Sequence, residues 1–584
     1  MRVRRKLTLG LLAGALVLSS QAPAVSSPAT AGPLYKIPWL PVKLRVDDLM
    51  ARMTLDDKLG QMMQPERLGI TDVADLATYR IGSLLSGGSS QPTPNTPESW
   101  ADMYDNFQRA ALKSPLQIPL IYAVDAVHGH NGVHGATVFP HNIGLGATRD
   151  PRLAREIGEV TAKEVAGTGI DWNFAPCLCV ARNDRWGRTY ESFGETPRIA
   201  QSMTTIVDGM QGRRLNGPHS VLATAKHYVG DGGTTGGKDQ GDTEISEAEL
   251  RAIHLPPFRD AVLKRELRFD GIVISDYNGV DKIDNQPGST PREVAASVNA
   301  GMDMIMVPFE WKKFIDTLRT EVRAGHVPMS RIDDANRRIL TKKFELGLFE
   351  KPLTDRRYTK TVGSPEHRAL ARAAVRESQV LLKNDGNVLP LGKAGNKIFV
   401  AGKNADDIGN QAGGWTVGWQ GKSGPVTPGT TILQGIRQTA KPSTTVTYAK
   451  DGTGIDSSYQ VAVAVVGELP YAEGKGDRPA EMGLDAEDLA TLATLKASGV
   501  PTVVVLVSGR PLDIAAQLPD WKGLVAAWLP GTEGNGVSDV LFGDYNPTGK
   551  LPVTWMRSAS QQPINAGDGK DALFPYGFGL RYRR

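Results

Sequence analysis

The chain has 584 residues, too long for one core and long enough for two domains, and its composition is that of an ordinary globular protein. Its formal charge of +4 rests on Arg2, Arg4, Arg5 and Lys6, so removing the first 31 residues leaves a formal charge of zero. The basicity is therefore no argument for a nucleic-acid or anionic-surface partner.

Those four cations precede an apolar run over residues 7–18, and the small residues Ala29, Thr30 and Ala31 follow. This order predicts a secretory signal peptide over 1–31, too short to anchor in a membrane, and hence a secreted, extracellular or periplasmic protein. Such a compartment tolerates disulfides. The two cysteines, Cys177 and Cys179, are separated by one residue in an apparently extended stretch, so they should face opposite ways and bridge only with strain. Stability is expected from core burial instead. His128, His130, His134 and His141 cluster, but no acidic or thiol ligand recurs downstream at zinc-like spacing, so no metal is expected.

Residues 46–63 have helical apolar spacing, with Thr54 and Asp57 resembling a capping box between two helices. Strand-like runs then recur at 81–85, 120–124, 170–175, 221–225, 271–275 and 302–307, with helical segments between them. The alternation predicts an α/β fold, most simply a β/α (TIM-like) barrel over 36–350 working at the C-terminal ends of its strands. Asp125, Lys226, His227 and Asp276 each follow such a run. Several polar groups converging on one rim are a candidate site. The GGTTGGK run at 232–238 nearly fits a phosphate-binding loop, but Asp239 stands where a Ser or Thr should hold magnesium, so it is read as a mobile glycine loop.

Helical spacing returns over 329–349, and periodicity breaks over 351–366, a predicted linker. Beyond it a helix at 367–382 precedes strand-like runs at 397–401, 461–466, 502–507 and 524–528. Residues 367–584 therefore form a second α/β domain, a layered sandwich with a C-terminal extension.

The most informative stretch is GIVISDYNGVD at 271–281. A β-branched run there stops abruptly at Asp276, followed by an aromatic and a glycine turn. By itself it could be a strand-end catalytic acid or a helix cap.

DAVHG (125–129), RWGRTYESFGE (185–195), KHYVGDGG (226–233), ISDYNGVD (274–281), GGWTVGWQG (413–421) and GELPYAEGKGD (467–477) together resemble glycoside hydrolase family 3, in its two-domain β-glucosidase and exo-β-glucan glucohydrolase type. The likeness runs from about Pro38 to Tyr582. It implies that Asp276 is a nucleophile and Glu473 the general acid/base, with Glu468 the competing choice in the same loop. Two carboxylates are needed because one must be ionised to form a glycosyl-enzyme while the other donates and then accepts a proton. It also implies that Asp125, Arg188, Lys226 and His227 hold sugar hydroxyls, and that Trp415 and Trp419 stack on the next sugar. Neither metal nor cofactor is implied. Partners are β-glucan or β-glucoside oligosaccharides, with no nucleic acid and no membrane after signal removal, for a monomer or dimer.

Three features depart from the family pattern. Tyr277 replaces the usual Trp, Gln240 falls near a usual Glu, and about thirty residues, one βα repeat with its loop, are missing near Val262. The missing stretch normally supplies a Tyr beside the nucleophile, and six strands where a barrel wants eight agree with an incomplete ring. The expected function is a secreted retaining glycosidase releasing β-D-glucose from non-reducing ends. The alternatives are a catalytically impaired sugar-binding relative, or a β-xylosidase or N-acetylglucosaminidase of the same family. The last of these is disfavoured because 233–242 has no histidine.

Overall fold

The computed structural model describes residues 32–261, 269–286 and 288–583. The expected signal peptide lies outside the described residues, as does the join over 262–268. Among the described residues no helix is long and apolar enough to cross a membrane.

The first half is built on short parallel strands wrapped by helices. Strands β1 (Met63–Gln64), β2 (Ser83–Ser86), β3 (Ile121–Val124), β4 (Trp172–Asn173), β5 (Leu222–Ala223) and β6 (Ile305–Met306) are nearly all buried. Strands β2, β3, β4 and β5 pair in that order, β1 pairs with β6, and a Glu66–Leu85 bridge joins the two groups. A further bridge, Ile274–Met304, adds the 271–275 run beside β6. Following the pairing round, the ring opens between β5 and Ile274, where no ladder links them among the described residues. That opening coincides with the place near Val262 where the resemblance implies a missing βα unit.

Helices begin where the local chemistry dictates. Thr54 and Asp57 form the expected capping box, and Pro97–Ala111, Pro151–Gly167 and Pro291–Asn299 each start on a proline, whose missing N–H costs nothing there. In Trp311–Arg323 the inward residues Trp311, Phe314, Ile315 and Leu318 follow helical periodicity and are buried. The two helices expected over 46–63 are Val42–Arg52 and Leu55–Gln61, and the last residue of that span, Met63, begins β1.

The second half is a six-stranded sheet. Its strands are β7 (Val380–Asn384), β8 (Lys397–Ala401), β9 (Thr445–Tyr448), β10 (Val461–Gly467), β11 (Thr502–Val507) and β12 (Gly523–Trp528), in the order β7-β12-β11-β10-β8-β9, with only β7 antiparallel. Strands β10, β11 and β12 are buried throughout, which is why they read as unbroken apolar runs. The helix expected over 367–382 ends at Ser378, and its apolar tail is β7. Within the expected linker, Arg356–Thr359 is helical and Thr354 hydrogen-bonds Asp105 by both its amide and its hydroxyl, so this stretch lies against the first half.

Far from the strand ends that carry Asp125 and Asp276, Lys343 is fully buried and donates to Gln61 Oε1 at 2.6 Å, Gly82 O at 2.7 Å and Pro119 O at 2.8 Å. Burial pushes its ammonium down to about 7, partly offset by Asp171. Lys343→Met strips these acceptors of their shared donor, and the expected loss is about 3 kcal/mol, read as a lower urea midpoint with an unchanged slope.

Candidate active site

The polar residues expected at strand ends do converge. Asp125 follows β3, Arg188 lies in the loop after β4, Lys226 and His227 follow β5, and Asp276 follows the Ile274 bridge. Lys226 Nζ donates to Asp125 Oδ1 at 2.9 Å and stands 5.8 Å from the Trp415 ring centroid. His227 Nδ1 lies 2.5 Å from Asp231 Oδ2. The buried Arg188 guanidinium grips Glu191 with two hydrogen bonds of 2.9 Å, and its Nη1 is 3.7 Å from Glu473 Oε1. Glu191 Oε1 also accepts from Trp415 Nε1 at 3.0 Å.

Glu473 comes from the other half of the chain, on the turn Glu473–Gly476 beyond β10. Its loop is pinned to the first half by Asp477, whose carboxylate accepts the amides of Gly187 at 2.8 Å and Asp239 at 3.0 Å. Gly187 has to be a glycine, since a Cβ there would lie 2.0 Å from the Glu473 carbonyl oxygen. Behind the loop, Arg510 is wholly buried. It donates to Asp184 O at 2.8 Å and Trp186 O at 3.3 Å in the first half, and to Gly476 O at 2.7 Å and the Tyr471 hydroxyl at 3.0 Å in the second.

The two acids feel opposite fields. Asp276 is open to solvent on one side, and the protein crowding its other side pushes it up by desolvation, but His227, the Tyr277 amide donating at 2.7 Å, Arg188 and Lys226 outweigh this and hold its carboxyl below the usual aspartate value. Burial also pushes Glu473 up. There Arg188 opposes while the charges of Glu191, Asp239 and Asp276 add, and the net shift is upward. A low-lying carboxylate beside a high-lying carboxylic acid is the combination that acid/base chemistry at one centre uses.

Trp415 and Trp419 sit on a loop that follows the helix Ile408–Ala412, and Trp415 N donates to Trp419 O at 2.8 Å. Trp415 is 6% exposed and Trp419 37%. Both press on Gly88 beyond β2, where a Cβ would lie 2.9 Å from Trp419 Cβ and 3.0 Å from Trp415 Cζ3. Tyr277 is exposed, at the edge near Gly87. Gln240 is tied to Lys282 at the rim.

The histidine cluster supports this loop. His128 and His141 stack at 3.6 Å, His141 Nε2 is 3.1 Å from Gly414 O, and His130 Nε2 is 2.8 Å from Thr168 Oγ1. Burial pushes His130 and His141 down to about 3, so they pack as neutral rings.

Two expectations need correction or completion. Cys177 and Cys179 are joined as a disulfide, with Cα atoms 5.2 Å apart. The regular strand ends at Asn173 and only an isolated bridge, Cys177–Lys226, continues its pairing, so the chain bends between the cysteines and both sulfurs turn toward Asp231. Glu191 and Asp231 lie inside the recognised motifs at helical spacing from Arg188 and His227, yet sequence reasoning assigned them nothing. Arg510 carries no motif signal at all.

The family model described as "Glycosyl hydrolase family 3 N terminal domain" matches residues 54–262 and 260–342, and "Glycosyl hydrolase family 3 C-terminal domain" matches 379–582. The chain belongs to glycosyl hydrolase family 3. The resemblance drawn from the six motifs is thus borne out, and the first match breaks at the residues that border the opening in the ring. A lysosomal beta glucosidase of Dictyostelium discoideum is 34% identical over 92% of this chain and 76% of its own length. A periplasmic beta-glucosidase of Salmonella typhimurium is 30% identical over 92% and 80%. Among solved structures, the exo-1,3/1,4-beta-glucanase of a Pseudoalteromonas species is 40% identical with a TM-score of 0.88, covering 93% of this chain and 74% of that one. A mutant beta-glucosidase of Listeria innocua in complex with laminaribiose is 26% identical with a TM-score of 0.80, covering 92% and 83%.

Glu468, the competing acid, is committed elsewhere. It lies 3.2 Å from Arg510 Nε, accepts from the Tyr471 hydroxyl at 2.7 Å and accepts the Gly509 amide at 2.9 Å. Glu468→Ala strands the buried Arg510 charge and is expected to cost about 3 kcal/mol. Glu473→Ala is expected to leave the urea midpoint nearly unchanged. Chemical denaturation of the two variants side by side separates the structural acid from the free one.

Proposed function

We propose that the protein is an exported, retaining β-glucosidase that removes one glucose at a time from the non-reducing ends of β-glucosides or β-glucans. The observation that carries this reading is the convergence, from two halves of the chain, of Asp276 and Glu473 with opposite shifts around one guanidinium. Relatives and structural neighbours named as beta-glucosidases and exo-beta-glucanases support the substrate class. The predicted export signal, and a relative named as periplasmic, support the compartment.

In this mechanism Asp276, ionised, attacks the anomeric carbon while Glu473 delivers its proton to the leaving oxygen. Glu473, now a carboxylate beside Arg188, then takes a proton from water, which displaces Asp276 and restores the starting configuration. Asp125, Lys226, His227 and Arg188 offer acceptor and donor groups to hydroxyls of the bound glucose, and the Trp415–Trp419 loop offers apolar faces to the next sugar.

The opening in the ring favours a second reading, a sugar-binding relative with impaired turnover, because Asp276 and Tyr277 are exposed beside it. Release of nitrophenol from β-glucoside, β-xyloside and N-acetyl-β-glucosaminide substrates decides between them. Turnover of the β-glucoside that Asp276→Ala abolishes supports the glucosidase. Silence on all three by folded protein supports the binding relative.

The acid shifts fix the pH profile. Asp276 is ionised above a value lower than usual, and Glu473 keeps its proton up to a value higher than usual, so kcat/KM should plateau between them. The alkaline limb should vanish in Glu473→Gln. Glu473→Ala should lower kcat about 10²–10⁴-fold on poor leaving groups. With an activated nitrophenyl glucoside, whose aglycone departs without a proton, added azide should restore turnover and yield a β-configured glucosyl azide, and an α-configured product would exclude retention.

A further inference from the structure

The machinery above uses Asp231 only through His227 and gives the cysteines no role. Yet these residues form a compact cluster. Cys177 bridges to Lys226, the neighbour of His227, and both cysteines are almost wholly buried. Cys179 Sγ lies 3.4 Å and Cys177 Sγ 3.9 Å from the Asp231 oxygen that also holds His227 Nδ1. Two sulfurs, an imidazole nitrogen and a carboxylate oxygen thus lie within 4.8 Å of one another. Joined sulfurs carry no proton, so in the disulfide form they face an electron-rich carboxylate with nothing to donate. Reduced, the same four groups are a two-sulfur, one-nitrogen, one-oxygen donor set of the kind that suits four-coordinate Zn²⁺ and its spectroscopic substitute Co²⁺.

We propose that Cys177, Cys179, His227 and Asp231 form a redox-gated site for one soft divalent metal ion. A dithiol reductant supplies two electrons and two protons and ends as its own disulfide, while the Cys177–Cys179 bond becomes two thiols. Metal capture releases those two protons, and the thiolates, His227 Nδ1 and the Asp231 carboxylate close around the ion. Occupancy commits His227 and its partner Asp231 to the ion, at the expense of the His227 contact to sugar, and places new charge near Asp276, so the metal-loaded form is silent in turnover. That last consequence rests on the proposed glucosidase function, whereas the site itself does not.

The test uses the full mature chain, oxidised and after anaerobic reduction and desalting, titrated with Co²⁺ and followed by absorbance, with free thiols counted and the fold checked by circular dichroism. The reduced protein should show two thiols and bind one Co²⁺ with near-ultraviolet thiolate-to-cobalt bands and intense visible bands, and the oxidised protein should show none of these bands. Cys179→Ser and, independently, Cys177→Ser should lose or halve the thiolate bands, and His227→Ala should weaken binding. Folded, reduced protein with two thiols and no thiolate bands overturns the proposal. So do bands that persist undiminished in both serine variants, or thiols that appear only on unfolding. One equivalent of Zn²⁺ should abolish nitrophenol release by the reduced enzyme, reversibly with a chelator, and spare the oxidised enzyme; turnover retained with metal bound overturns the gating. If neither form turns over a glucoside, the glucosidase reading fails while the cobalt spectrum still decides the site.

Discussion

A carboxylate on one half of a chain can serve a pocket in the other half only if the loop that carries it is held to within a fraction of an ångström, and here the buried guanidinium of Arg510 does the holding. Its planar fork reaches backbone oxygens of Asp184 and Trp186 on one side and Gly476 on the other, so the two halves share one set of donors. Glu468 and Tyr471 complete its partners, which is why an acid so close in sequence to Glu473 is free for nothing else. Asp477 and Gly187 finish the join from the rim side. A lysine in place of Arg510 lacks the rigid, multidirectional fork that these partners require.

From that fixed interface the electrostatics follow. Arg188 is paired with Glu191, yet it still reaches Glu473, and Glu191 in turn fixes the indole of Trp415. One buried ion pair therefore orients an aromatic wall and sets the field at the free acid. Asp276, backed by His227, Lys226 and an amide, lies on the positive side of this arrangement. Glu473, facing Glu191, Asp239 and Asp276, lies on the negative side, and the two protonation states diverge.

Much of this was legible in the sequence because periodicity and strand-end carboxylates are local signals. The buried runs of β10, β11 and β12 and the acid after Ile274 were read directly. β1 and β7 were missed because two residues at the end of one helical run, and an apolar tail on another, carry no period of their own. Arg510 was invisible because its partner Asp184 lies 326 residues away in sequence and its own neighbourhood is ordinary in composition. The cysteine pair was misread by assuming that a strand continued past Asn173. Alternation of faces is a property of extended backbone, and although Cys177 is still bridged to Lys226 the chain bends there, bringing the two Cα atoms to 5.2 Å.

The opening between β5 and Ile274 has a colloidal consequence. Among the described residues, a ring broken at one seam presents two unpaired strand edges, normally a template on which another chain can add itself. Here one edge is two residues long and the other an isolated bridge, so an incoming strand would gain only a few hydrogen bonds against about 1–2 kcal/mol of backbone ordering per residue. The seam is too short to seed a fibril, and a barrel made of such brief strands can lose a stave without becoming sticky.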